Sequence, residues 1–449
     1  MRALVLLVAA LLCAPARADL FTAQLAYQKG DYERAFKDYR ELAELGQATA
    51  QRNLAIMYAK GQGVRQSEIN AFAWASLAAE GGDAGAKSLV EQLRPLLAPG
   101  SEKIAADIAA PFSRTALDKR LMPRVEDDEL SQARCSKPNV GTLTYPLEAE
   151  EKRVQGDVLV ELTVLSDGST RNPRIVYAVP TGFFESTTRS IALHMRYQPA
   201  ASDGAPVHCH LMIRFLLPGA GDSRELQRFA ITTRQKAEAG DASSELLYGL
   251  MLAGLPQLGR PRSEAVPWFL KAAQAGSRSG QYMVGSSMLY GMGCRCEQNK
   301  AEVWLRRAAE ADQSNAQVTL AAYALRGSAD ERNIRMADVW LERAAASGDH
   351  DGMYYLSALL AATPVEAIRD PKRALSLLDK LRNDVSGNPT AVEIRAAALG
   401  ASGAYAEAVK KQRQAISMAD ALKWDLRPLN ERLASYESRQ AWYGDLLGL

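Results

Sequence analysis

Two histidines that stand two residues apart, His208 and His210, are the first candidates for chemistry in this 449-residue chain. At that spacing they share one face of a predicted strand, where a pair of imidazoles could bind a metal ion. No acidic or cysteine ligand is arranged with them in the sequence, so we expect a solvated outer face of the strand instead. The sequence predicts no metal and no other cofactor.

The cysteines are the second group with chemical potential. Cys294 and Cys296 flank one arginine, and the two cysteines could form a metal or redox pair. The simpler interpretation is that Cys294 packs in the repeat and Cys296 lies in a loop. Cys209 lies on the inward face of a predicted strand and Cys135 lies in the chain that enters the same domain. We predict a Cys135–Cys209 disulfide, with a tight Cys294–Cys296 loop as the rival pairing; both could exist.

No combination of nucleophile and base in the sequence predicts catalysis. The segments GQGV and GMGC have no strand before them and no Lys-Ser/Thr after them, which a phosphate-binding loop requires. We therefore expect no enzymatic activity. An enzyme of envelope or cell-wall metabolism is the alternative from that class.

Residues 1–18 have the features of a secretory signal peptide. Arg2 precedes the apolar run ALVLLVAALLCA, and residues 16–18 form a small-x-small cleavage site. The run is shorter than the roughly 20 residues of a membrane-spanning helix. We expect cleavage after Ala18 and no membrane span in the mature protein. Lipid attachment at Cys13 is a weaker alternative, because a bulky leucine precedes it.

The charge balance argues against nucleic acid as a partner. Removing Arg2 and Arg17 lowers the Lys+Arg total from 54 to 52, which equals the 52 Asp+Glu residues. A formally neutral mature chain has no whole-chain basic field to attract nucleic acid or an anionic membrane.

One tryptophan slot recurs along the chain. Trp268, Trp304 and Trp340 follow at 36-residue intervals, and Trp74 has the same alanine-rich surroundings. On a helix these positions share one face, where small alanines let a neighbouring helix approach and one ring fills the remaining space. The spacing predicts stacked helix pairs in a solenoid, with the four tryptophans in the repeat core.

The segment at 50–82, AQRNLAIMYAKGQGVRQSEINAFAWASLAAEGG, resembles the Sel-one-like repeat, a relative of the tetratricopeptide repeat. The positions that carry the resemblance are Ala50, Leu54, Tyr58, Gly61, Gly63, Val64, Ala71, Trp74, Ala78 and Ala79. Further copies lie at 243–276, 279–312 and 316–348, and degenerate units follow. The resemblance implies α-solenoid arrays that hold proteins or peptides on a concave helical surface.

The helical period disappears between about 130 and 218. The segment GDVLVELTVLSDGST alternates apolar residues and then turns at Asp167-Gly168, which predicts a hairpin. An amphipathic helix follows, and then a third strand that begins at Val207. The predicted order is β-β-α-β.

This segment resembles the C-terminal domain of the TonB family. The matching positions are Tyr145, Pro146, Ala149, Gly156, Val158, Asp167, Gly168, Phe184, Arg196, Tyr197, Pro199, Gly204, Pro206 and Val207. The resemblance implies a periplasmic domain that binds outer-membrane receptors, partly by pairing with a receptor segment at a sheet edge. True TonB transducers also have a retained membrane anchor and a Pro-rich spacer, and this chain has neither pattern.

The third predicted strand is the candidate partner-binding element. Its connection through a helix makes it an edge of a three-stranded sheet, where unpaired backbone groups can accept an extended peptide. The proposed edge residues are Val207, His208, His210, Met212, Arg214 and Leu216. A neighbouring solenoid or a second copy that covers this edge is the alternative.

The sequence therefore predicts a mostly helical protein with an inserted α+β domain. Its expected parts are a signal peptide (1–18), N-terminal repeats (19–129), a TonB C-terminal-like domain (130–218) and C-terminal repeats (222–449). The expected function is a non-catalytic periplasmic scaffold for envelope proteins or extended peptides, a TonB-dependent receptor among them. The alternative is an accessory energy transducer that works with such receptors.

Overall fold

The computed structural model describes residues 20–126, 144–197, 207–215, 223–255, 258–327, 330–382, 385 and 387–448. The predicted signal peptide and Cys135 lie outside these residues. The chain forms two compact units, of which the first ends at Leu121 and the second begins at Met122.

The first unit is helical throughout its described part. Its helices are α1 (Leu20–Gln28), α2 (Tyr32–Glu44), α3 (Ala48–Lys60), α4 (Glu68–Glu80), α5 (Ala86–Leu93), α6 (Ser101–Ala109) and α7 (Arg114–Arg120).

Local sequence signals explain where these helices begin and end. The Ser67 hydroxyl accepts a hydrogen bond from the Asn70 backbone N–H at the start of α4. Gly61 ends α3 in the left-handed conformation, with φ at 67°, which a residue without a side chain adopts at little cost. In the core between the helices, the rings of Trp74 and Phe112 lie 4.9 Å apart.

The second unit contains one sheet and a long helical array. Its first part, here called the sheet domain, consists of α8 (Leu147–Glu151), β1 (Gly156–Val164), β2 (Thr170–Val179), α9 (Glu185–His194) and β3 (Val207–Phe215). The C-terminal array consists of α10 (Ser223–Glu238), α11 (Ala242–Gly254), α12 (Ala265–Gln274), α13 (Arg278–Tyr290), α14 (Gln298–Glu310), α15 (Ser314–Gly327), α16 (Glu331–Ala346), α17 (His350–Ala362), α18 (Pro371–Lys380), α19 (Pro389–Ala401), α20 (Tyr405–Ala421) and α21 (Arg427–Glu437). The predicted mostly helical fold with an inserted β-β-α-β domain is confirmed.

The tryptophan slot falls on the second helix of each pair. Trp74 in α4, Trp304 in α14 and Trp340 in α16 are buried. Trp268 in α12 is half-buried; its ring meets Tyr248 edge-on at 5.3 Å, and the Lys271 ammonium lies 4.1 Å from its centroid. The rings fill the space between helix pairs, as large apolar groups beside alanines do.

The three strands form an antiparallel sheet in the order β2-β1-β3. The hairpin strands pair with each other, and β3 adds to the other side of β1. The register shifts between Leu159 and Val160, which leaves Val176 of β2 as an extra residue in a bulge. The third strand is therefore an edge of the sheet, as its connection through α9 predicts.

One face of the sheet packs on α9 and forms the core of the sheet domain. The alternating residues Val158, Val160, Leu162 and Val164 are buried there with Phe184. This is the inward face that the period-2 pattern predicts.

The opposite face of the sheet corrects one expectation. We expected the outer face that carries His208 and His210 to be solvated, but its β1 residues Asp157, Glu161 and Thr163 are all buried. The face packs on the first helices of successive repeats in the C-terminal array, so charged residues that suggest a solvated surface are covered. The side chain of His208 lies outside the described part of the chain.

In the described residues, no helix combines the length and the apolar character that crossing a bilayer requires.

Candidate functional site

The open edge of the sheet is the first functional feature. Among the described residues, β3 pairs with β1 alone. The other edge, β2, has a contact from the array: the Asn315 side-chain amide donates a hydrogen bond of 3.3 Å to the Val176 carbonyl in the bulge. Because a strand edge exposes backbone donors and acceptors, β3 is the side at which the described sheet could grow.

The predicted edge residues divide between the two faces of β3. Val207 is half-buried and packs with the core on the α9 side. Met212 and His210 face the array, and Arg214 bonds Asp157 of β1 through a 2.8 Å ion pair. Leu216 lies outside the described residues. Side chains of β3 therefore serve packing on both faces, and the backbone is what the edge offers a partner.

A buried network of charges joins the sheet to the array. The Arg174 guanidinium on β2 donates to Oε2 of Glu161 on β1, with the Nε atom at 3.1 Å. Arg326 of α15 donates to the other oxygen, Oε1, at 2.8 Å. The Tyr290 hydroxyl of α13 donates to the same oxygen at 3.1 Å. One carboxylate thus receives donors from a strand and from two helices.

The pKa of each charged group reflects this arrangement. Burial raises the pKa of Glu161, but attraction to Arg174 and Arg326 outweighs burial and holds that pKa well below its usual range. Burial lowers the pKa of Arg174 and Arg326, but the Glu161 charge outweighs it, so both pKa values lie above the usual range. The network is therefore ionised at neutral pH, and its charges depend on one another.

His210 lies at the margin of the same network. Glu161 pairs with it across the strands, and its ring centroid lies 4.1 Å from that of Tyr290. Its Nε2 is buried and has no hydrogen-bond partner among the described residues. Burial lowers the pKa of His210 to about 4; the Glu161 charge opposes this effect, and Arg174 and Arg326 add to it.

A second ion pair anchors the helix of the sheet domain to the array. The Arg189 guanidinium of α9 lies 3.3 Å from Oδ1 of Asp351 at the start of α17. Burial raises the pKa of Asp351, but Arg189 and His350 outweigh it and lower that pKa to about 2. This pair extends the contact between domain and array from α15 to α17.

The hairpin end of the sheet reaches the last helices of the chain. The Arg171 guanidinium lies 3.0 Å from the centroid of the Trp424 ring, a cation–π contact. The Asp425 backbone N–H donates to Oδ2 of Asp167 at 2.7 Å, and the Asn172 amide donates to the Leu447 carbonyl. The sheet therefore contacts the array from α13 to the C-terminal end.

The charged groups of the network are paired with one another. In the part of the chain that the structure describes, no three His, Cys, Asp or Glu side chains group closely enough to hold a metal ion. Glu161, Arg174 and Arg326 are engaged with one another. The contacts can fix one domain against another, which requires paired charges when they are buried.

The cysteines are placed as follows. Cys209 is buried on the α9 side of β3 and is disulfide-bonded. Cys294 and Cys296 are thiols, so the rival Cys294–Cys296 loop is not formed. The partner of Cys209 lies outside the described residues, as Cys135 does, and the Cys135–Cys209 pairing remains a prediction.

Sequence reasoning missed the residues of the buried network. Glu161 and Arg174 look like the polar side of a hairpin with one solvated face. One signal was present: Tyr290 and Arg326 are 36 residues apart and directly precede the bend glycines Gly291 and Gly327, so they occupy the same slot in two successive repeats. A slot filled by two large polar side chains on the first helices indicates that something lies against that face.

The family comparisons cover the sheet domain and four repeats. The model of the Gram-negative bacterial TonB protein C-terminal matches residues 142–217. The Sel1 repeat model matches residues 48–83, 242–277, 278–313 and 314–349. Both resemblances found in the sequence are confirmed, and the repeats begin within two residues of the predicted starts. No curated protein matches the chain.

Solved structures similar to this chain include a protein with an SLR fold and a Sel1 repeat protein. The crystal structure of c5321, a protective antigen of uropathogenic Escherichia coli strains that displays an SLR fold, shares 18% identity over 95% of this chain with a TM-score of 0.36. This chain spans 65% of the length of that protein. A Sel1 repeat protein from Oxalobacter formigenes shares 19% identity over 47% of this chain and 95% of its own, with a TM-score of 0.34. Yeast Tom70 shares 11% identity over 89% of this chain and 75% of its own, with a TM-score of 0.28.

Proposed function

We propose that this chain is a protein–protein interaction scaffold of the Gram-negative envelope. The premise is that the chain carries Sel1 repeats and a TonB C-terminal domain. Its sheet domain would bind an extended peptide of an envelope protein at the β3 edge. The Sel1 repeats would hold that domain in place and supply further surface for proteins.

The observation that carries this proposal is the open edge of β3. Both faces of the sheet are covered, one by α9 and the other by the array, and the Asn315 amide bonds the bulge on the β2 side. What the described sheet offers to a partner is a row of backbone groups along β3. Strand addition uses those groups for affinity and the flanking side chains for selectivity.

The family of the sheet domain supports an envelope location. Proteins with this domain are typical of the Gram-negative envelope, and the sequence predicts export with cleavage after Ala18. We therefore propose a periplasmic protein. Among envelope proteins, the extended segments of TonB-dependent receptors are the partners that the domain's family favours.

Site-specific crosslinking in cells tests the proposal. A photo-crosslinking amino acid at Leu211, half-buried on the edge strand, should form adducts with an envelope protein, and mass spectrometry should place the crosslink in an extended segment. The same amino acid at Val339, an exposed position on α16, is the matched control and should not give that adduct. Adducts at Val339 alone would mean that the partner binds the helices and not the sheet edge.

A pair of proline variants makes the test independent of side chains. Neighbouring residues of a strand present their N–H groups to opposite sides. One of the variants Leu211→Pro and Met212→Pro therefore removes an N–H that points to the free edge. The other removes an N–H that bonds to β1. The variant that keeps the thermal unfolding of the parent should lose the peptide. Full partner capture by that folded variant would overturn strand addition at β3.

A further inference from the structure

The contact between the sheet and the array contains a titratable group that the proposed function does not use. We define the docking face as Asp157, Leu159, Glu161 and Thr163 of β1 with Arg174, Tyr177, His210 and Met212 of the flanking strands. The first-helix face is the surface of α11, α13, α15 and α17 that meets it. The side chain of His208 lies outside the described part of the chain, so the titratable group considered on the docking face is His210.

His210 stands in a site that already has an excess of positive charge. Glu161 of β1 is opposite it on the neighbouring strand. Arg174 of β2, Arg326 of α15 and Arg262 just before α12 are the cations that act on it, and Tyr290 of α13 covers its ring. Protonation adds a charge beside one buried arginine, Arg174, two half-buried arginines and one buried carboxylate. The Nε2 atom of His210 has no acceptor among the described residues.

We propose that the docking face is an acid-sensitive latch, in which protonation of His210 releases the sheet domain from the first-helix face of the C-terminal array. Release moves the imidazolium, Arg174 and Arg326 into water, where their mutual repulsion is screened. The strands and the helices keep their own hydrogen bonds, so release needs no unfolding of either part.

The direction and size of the effect follow from proton linkage. Burial lowers the pKa of docked His210 to about 4 from its ordinary 6.5, so the released form binds the proton more tightly. Docking is therefore fully favoured above pH 6.5 and weakens as the pH falls toward 4. The release equilibrium constant should rise about 25-fold between pH 7.5 and pH 5, and about 300-fold in the acid limit.

The other acids of the interface do not produce this window. Attraction to arginines holds the pKa of Glu161 well below its usual range and lowers that of Asp351 to about 2, so both stay ionised at pH 5. Burial raises the pKa of Asp157 despite its pair with Arg214, so protonation of Asp157 favours docking and opposes release. Among the described residues, His350 contacts Asp351 at 3.3 Å, so its own variant is included in the test.

Thiol labelling of the full-length protein measures release. Thr163→Cys is a small change at a buried position of the docking face, and 4,4′-dithiodipyridine reacts with thiols at acid pH. At each pH, the labelling rate of the introduced thiol is divided by its rate in the denatured protein. This ratio should rise about 25-fold from pH 7.5 to pH 5. The buried thiol of Cys294 should stay protected, since the array remains folded. Parallel loss of protection at Cys294 would indicate unfolding and overturn the latch.

Histidine variants in the Thr163→Cys background identify the titrating group. His210→Phe should make labelling independent of pH between 7.5 and 5, and His210→Gln is a second non-titrating variant in case the larger ring disturbs folding. His194→Phe, at an exposed position on α9, should retain the 25-fold rise. The proposal is wrong if the rise persists in both His210 variants, or if His350→Phe abolishes it while the His210 variants do not.

Discussion

Single residues explain why charged groups are tolerated inside this molecule. Glu161 and Arg174 are almost fully buried, where an unpaired charge would be very unfavourable. Each oxygen of the Glu161 carboxylate has its own arginine, and Tyr290 adds a third donor. Because their charges are paired, these residues can be buried in an interface, although the sequence suggests that they face solvent. The interface depends on the presence of every partner.

The disulfide of Cys209 should contribute to the stability of the sheet domain. If Cys135 is the partner of Cys209, Cys135→Ser should lower the free energy of unfolding of the sheet domain by about 2–4 kcal/mol, because the crosslink restricts the unfolded chain. Cys296→Ser, at an exposed thiol, is the control and should leave that stability unchanged. Peptide mapping without reductant checks the pairing, and a reactive thiol at Cys209 in protein from an oxidising compartment would contradict it.

At the scale of elements, the repeats show which helices the sequence can define. The helix pairs, their bend glycines and the tryptophan slot recur at a fixed spacing, so each copy supports the prediction of the others. The one-face pattern does not say how deeply each copy is buried. Trp304 is 1% exposed, whereas Trp268 in the same slot is only half-buried, beside Tyr248 near the start of the array.

This difference predicts unequal costs for the same substitution. Trp304→Ala should lower the free energy of unfolding of the array by about 3–5 kcal/mol, since it leaves a cavity between closely packed helices. Trp268→Ala should cost about 1–2 kcal/mol, because part of that ring already contacts water. Urea denaturation followed by far-UV circular dichroism measures both. Equal losses would mean that burial of the ring does not set the energy of the slot.

The whole molecule marks the limit of what could be predicted from the sequence. The repeats and the β-β-α-β domain could be predicted because their signals are local: a helical period, a strand alternation and an Asp-Gly turn. The docking could not, because its contacts join residues far apart, such as Glu161 with Arg326 at 165 positions and Asn172 with Leu447 at 275. No local pattern requires these pairs, and Glu161 has the composition of an exposed strand position.

Docking also changes how the second unit should unfold. In a simple solenoid each repeat contacts its neighbours, so stability is a sum of local terms. Here the sheet domain contacts α13, α15 and α17 and, through Trp424, the end of the array. A single element that touches many repeats couples them, so the sheet domain and the array should unfold together at neutral pH.

Breaking the coupling at two points should divide this transition. In Arg326→Ala combined with Arg189→Ala, Glu161 and Asp351 each lose a partner across the interface, and removing one member of a buried pair typically costs about 3–5 kcal/mol. Pulse-labelling hydrogen exchange in increasing urea should then show β1 and β2 opening at lower urea than α13 and α14, which open together with them in the parent. The urea slope of each step should be smaller, because each exposes less surface.

Arg335→Ala with Arg234→Ala removes two exposed pairs within helices and should keep one transition, since such pairs contribute at most about 1 kcal/mol. Coincident transitions in the interface variant, at a lower midpoint but with an unchanged slope, would mean that the array transmits unfolding without the docked sheet.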